Sequence, residues 1–138
     1  MKVRLLFMLL LTGAFLGYIS QPIASAFSNH QESQASTLRK IAPWVMEHTV
    51  EGLEAEFLVI LADKADLSGA KEFPAKHEKG HYVRDVLMAK AQQSQASLLE
   101  WLSARGIEHR SFYIVNAIWV KARREAVLEI AARSDVAR

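Results

Sequence analysis

Phe57-Leu58-Val59-Ile60-Leu61 is an unbroken apolar run of strand length, ended by Ala62-Asp63, and its β-branched and aromatic content reads as a β-strand. Asp63 to Glu78, with Gly69, Pro74 and several charges, predicts a long loop. From about Lys79 to Ala104, Val83, Leu87, Ala91, Ser94, Leu98 and Leu102 recur at three- and four-residue steps. Val86 and Trp101 widen that stripe, which predicts an amphipathic helix. Arg105-Gly106 supplies a basic last turn and a residue able to take the left-handed backbone that ends helices. Two strands follow, about Ile107 to Ile114 and Ile118 to Ala122, hinged near Asn116, a residue type that tolerates tight-turn angles. A second helix, about Arg123 to Ala132, sets Val127, Ile130 and Ala131 on one face. Ser134-Asp135 breaks it, and Val136-Ala137-Arg138 opens a further strand. This order predicts an α+β, ferredoxin-like βαββαβ fold: an antiparallel sheet with two helices on one face and its last strand truncated.

Such a fold raises a question of coverage. A strand apolar at every position is expected to be covered on both faces, yet both helices belong on one. If Ile118 and Val120 point at the helices, Trp119 points the other way. The open face, carrying Trp119 and alternate residues of Phe57 to Leu61, is therefore a candidate interaction surface. The alternative is that Trp44 and its neighbours fold back over it.

Upstream, Met1 to Ala26 reads as an export signal. Lys2 and Arg4 form a positive end, Leu5 to Ile19 is uncharged and apolar, and Ala24-Ser25-Ala26 offers a cleavage site at Ala24 and Ala26. An uncleaved leader is the only route to a membrane. The expected location is extracytoplasmic, secreted or periplasmic. The formal charge of +2 belongs to this leader, since 17 basic residues less Lys2 and Arg4 balance 15 acidic ones. No basic face is left to suggest nucleic-acid binding. Residues 27–54 read as a flexible lead-in with a short apolar patch around Pro43, Trp44 and Val45. A single domain over residues 55–138 follows. The chain has 138 residues and no cysteine, which excludes disulfides, a thiol nucleophile and cysteine-ligated zinc.

His77-Glu78-Lys79-Gly80-His81 matches H-E-x-x-H, in which two histidines one helical turn apart bind zinc and the glutamate acts as base. Here the motif is expected to straddle a loop-to-helix boundary and contains Gly80. A third ligand is also missing: Glu100 lies 19 residues beyond His81 on the same expected helix, about 28 Å away along its axis. There is no G-x-S-x-G, P-loop or G-x-G-x-x-G. His30, His48 and His109 are scattered, and Asp63 and Asp66 fall in a loop. No catalytic residue, metal site or cofactor is expected.

From Glu56 to Arg138 the chain resembles the propeptide domain of subtilisin-like serine proteases, a family that includes free-standing protease inhibitors. The resemblance rests on Phe57-Leu58-Val59-Ile60-Leu61, the long helix closed by Arg105-Gly106, Phe112-Tyr113-Ile114-Val115-Asn116-Ala117-Ile118, Ala126-Val127 and Asp135-Val136-Ala137. It implies two linked activities: assisting a subtilisin-like serine protease to fold, and inhibiting it in trans. The open sheet face would dock on two surface helices of the protease. Acidic residues would cap those helices, and an extended C-terminal tail would occupy the substrate cleft as an added strand. Trp119, Ala117, Val136, Ala137 and Arg138 are the expected partner-binding residues. The sequence stops at Arg138 within the expected last strand, ahead of the caps and tail. A free-standing inhibitor, a degenerate or truncated propeptide, and an extracytoplasmic binding module without protease control all stay open.

Overall fold

The computed structural model describes residues 24–138, with side-chain surroundings given from Gln31 onward. Of the expected export signal, residues 1–23 lie outside the described residues, and Ala24 and Ala26 begin the first helix. That helix, α1 (Ala24–Arg39), stands where the sequence suggested no regular element. It lacks an apolar stripe, but no glycine or proline interrupts it. Its Ala, Gln, Glu, Leu and Arg residues are intrinsic helix formers.

Residues Ser33–Arg138 form one compact unit. Pro43, whose ring presets a helical φ, opens the short helix α2 (Pro43–His48). A 3-10 turn at Val50–Gly52 then leads into β1 (Ala55–Ile60). Lys40 Nζ donates to the Arg133 carbonyl at 2.7 Å, and the Arg124 guanidinium donates to the Met46 carbonyl, so this N-terminal arm is tied to the last helix. The loop after β1 contains a 3-10 helix at Ser68–Glu72, started by Asp66 Oδ1 accepting from the Ser68 N–H at 2.9 Å. That hydrogen bond holds the Asp66 carboxyl below its ordinary range.

The long helix α3 runs over Lys76–Ala104, three residues earlier than its apolar period indicates. It ends with Gly106 at φ 63°, a conformation glycine takes without strain. Strands β2 (Glu108–Phe112) and β3 (Ala117–Ala122) flank the turn Tyr113–Asn116, and α4 (Arg124–Ala132) follows.

The sheet is antiparallel in the order β1-β3-β2. Val59 pairs with Ile118 and Phe57 with Val120, while His109 faces Val120 from the other side. An additional antiparallel bridge joins Leu61 to Val136 on the free side of β1. There the Ile60 N–H donates to the Arg138 carbonyl and the Ile60 carbonyl accepts from the Ala137 N–H, both at 2.8 Å. The core gathers Val59, Ile118 and Val120 from the sheet, Leu98 and Leu102 from α3, Ile130 from α4, and Leu61 and Val136 beside them. Both helices thereby cover the same face of the sheet. The protein is an α+β domain over these residues.

Candidate functional site

Because successive strand residues point to opposite faces, burying Val59, Ile118 and Val120 directs Leu58, Ile60, Trp119 and Lys121 away from the helices. The register sets these out in rows across the three strands. Glu56, Lys121 and Glu108 form one row; Leu58, Trp119 and Arg110 the next; Ile60, Ala117 and Phe112 the third. The first row alternates charge, so opposite signs face each other across both strand pairs. The other two are apolar apart from Arg110, whose guanidinium lies 4.7 Å over the Phe112 ring, a cation–π arrangement. Leu58 is 53% exposed.

Leu58 stays half-exposed on this face, so the Trp44 segment does not bury it. Trp44 is 51% exposed and stacks on His48 of its own helix, with ring centroids 4.1 Å apart.

At one end of the face the β2–β3 turn lifts Ile114, 67% exposed, and Val115, 61% exposed, into solvent. The turn beneath them is held by a buried polar network. Asn116 has φ 45°, and its Nδ2 donates to the Asp63 carbonyl at 2.8 Å and to Ser94 Oγ at 2.9 Å. Its Oδ1 accepts from Gln95 Nε2 at 2.9 Å. Gln95, fully buried, also donates to the Phe112 carbonyl and accepts from the Ser111 hydroxyl. The Leu61 N–H closes the network on the Asn116 carbonyl at 3.1 Å. The apolar tip is therefore fixed at once to α3, to the end of β1 and to the loop after it.

The residues expected from sequence to bind a partner separate into two sets. Trp119 stands at the centre of the open face, and Ala137 and Arg138 are exposed beside the end of β1. Ala117 and Val136 are corrected to buried positions, at 0% and 2% exposure. Ala117 is a methyl group walled in by Ile60 and Phe112, and Val136 belongs to the core beside Leu61. Leu58, Ile60, Arg110 and Phe112 join the site in their place. Leu58 and Ile60 are the alternate residues of the opening apolar strand. Gln95 was signalled only by a polar residue falling in phase with Ala91, Leu98 and Leu102.

The H-E-x-x-H segment is corrected as well. His77 through His81 all lie within α3, not across a boundary. Among the described residues, no group of three or more His, Cys, Asp or Glu side chains is arranged to hold a metal ion. Among those residues, no helix is long and apolar enough to cross a membrane.

No family model, curated protein or solved structure matches the chain.

Proposed function

We propose that this chain is a propeptide-type inhibitor and folding chaperone of a subtilisin-like serine protease, non-catalytic and extracytoplasmic, that docks through its open sheet face. The observation that carries this reading is the uncovered surface of β1 and β3, with Leu58 half-exposed beside Trp119 and Ile60. A partner covering these residues would add apolar burial at about 25 cal/mol per Å². The order β1-β3-β2, with Val136 bridged to the free side of β1, supports the ferredoxin-like βαββαβ arrangement that the resemblance implies.

The test is refolding of a denatured subtilisin-like protease with and without the chain, together with progress curves of the native protease. The chain is expected to speed recovery of activity and to slow substrate hydrolysis. Trp119→Ala is expected to weaken both effects by about tenfold or more, the loss typical of a central aromatic anchor. A wild-type chain that does neither would overturn the proposal.

A further inference from the structure

We propose that His77 and His81 form a two-histidine clip for a divalent transition-metal ion of the zinc class, fastening the start of α3. Both lie inside this helix. Four residues apart, they share one face at a rise of about 6 Å. Both are exposed, and both border one surface depression with Phe73, Glu78, Tyr82 and Asp85. A neutral imidazole nitrogen binds zinc at about 2.0–2.1 Å. Asp85, one turn beyond His81, is paired with Arg84 at 2.8 Å, in keeping with the absence of a third converging side chain among the described residues. The clip supplies two ligands, and the remaining positions of the ion are filled by water.

The surroundings say what such an ion does. The first turns of α3 are weakly held. Ala75 precedes the helix without a side-chain cap, and every residue from Lys76 to His81 is exposed. Gly80 costs about 1 kcal/mol relative to alanine in a helix interior. Lys76 and Lys79 outnumber Glu78 in the first turn, leaving net positive charge at the end whose dipole favours negative charge. Packing begins only at Tyr82, whose ring meets Phe73 at a centroid distance of 5.0 Å and whose hydroxyl fills the space where a side chain on Gly69 would stand. A metal bridge from residue 77 to residue 81 exists only when the intervening turn is helical. Its binding free energy therefore stabilises the helical turn, and with it the seat of Tyr82 against the 68–73 segment.

The experiment titrates the full chain with zinc chloride by calorimetry and follows backbone amide exchange at residues 79–83. One zinc ion per chain is expected to bind, and those amides are expected to exchange at least about tenfold more slowly when it is bound. His77→Gln and His81→Gln are each expected to weaken binding about tenfold or more, while His48→Gln leaves it unchanged. The substituted histidines are surface residues without a partner in the core, so the variants retain the fold, checked by circular dichroism. Zinc affinity that survives in the His77→Gln/His81→Gln double variant would overturn the proposal, as would binding that leaves the exchange rates unaltered.

Discussion

Asn116 holds φ at 45° while its side chain joins Asp63, Ser94 and Gln95. Left-handed backbone costs an ordinary residue about 1–2 kcal/mol and asparagine less, because its short polar side chain bonds locally; here buried hydrogen bonds offset what strain remains. The two contributions are separable. Asn116→Ala removes the side-chain bonds and puts an ordinary residue into left-handed backbone, with an expected loss of about 2–4 kcal/mol. Asn116→Gly removes the bonds and the strain together, and is expected to be about 1 kcal/mol more stable than the alanine variant. Urea denaturation of the three proteins measures both values, and equal midpoints for the two variants would show that strain is not stored at the turn. The turn itself was legible in the sequence, because asparagine's tolerance of left-handed angles is a property of the residue. Its partners were not: Ser94 and Gln95 lie about twenty residues upstream, and no periodicity pairs a helix amide with a turn amide. Ala117 misled for a related reason. Alternation assigns it to the outer face correctly, but only the neighbouring Ile60 and Phe112 decide that a methyl group there is covered.

Strand and helix identities followed from apolar period in β1, β2, β3, α3 and α4. Elsewhere they did not: α2, which buries Val45, was read only as an apolar patch in a flexible lead-in. The first turn of α3 and the whole of α1 are helical without an apolar phase to read. The junction between α4 and the segment beside β1 is set by polar contacts. The Arg133 guanidinium donates twice to the Asp135 carboxylate, at 2.8 and 2.6 Å, and reaches Ser97 Oγ at 2.9 Å. The clasp turns the chain so that Val136 meets Leu61, and the Asp135 carbonyl accepts from the Ala62 N–H at 2.9 Å. Hydrogen bonding from Arg133 holds the Asp135 carboxyl below its ordinary range, against a partial desolvation that would raise it. A carboxyl depressed in the folded state stabilises the fold above its unfolded pKa of about 3.9, and loses that contribution as pH falls through the lower folded value. Asp135→Asn is expected to be less stable than the wild type at neutral pH, with the gap closing below about pH 4. Denaturation midpoints across that range check it, and a gap independent of pH would mean that the clasp does not act through charge.

On the scale of the Ser33–Arg138 unit, one side of the sheet is sealed by α3 and α4 and the other is left with two largely apolar rows between a charged row and the apolar tip at Ile114 and Val115. The uneven coverage was legible in the sequence, since a strand apolar at every position outnumbers the helices available to cover it. The charged Glu56-Lys121-Glu108 row, the Arg110–Phe112 contact and the rigid tip at Ile114 and Val115 were not, because they depend on strand register. The same uneven coverage distributes the three tryptophans into distinct surroundings. Trp44 is stacked on an imidazole at the surface, Trp101 lies beneath the Arg105 guanidinium at 4.0 Å, and Trp119 stands alone on the open face. With Trp44 and Trp101 replaced by phenylalanine, emission arises from the open face alone. Partner docking there is expected to shift the emission maximum to shorter wavelength as water leaves the indole. Binding without any spectral change would put the contact elsewhere. The uncovered side of the sheet is thus also where the protein is optically sensitive, and its occupancy can be followed in real time without a label.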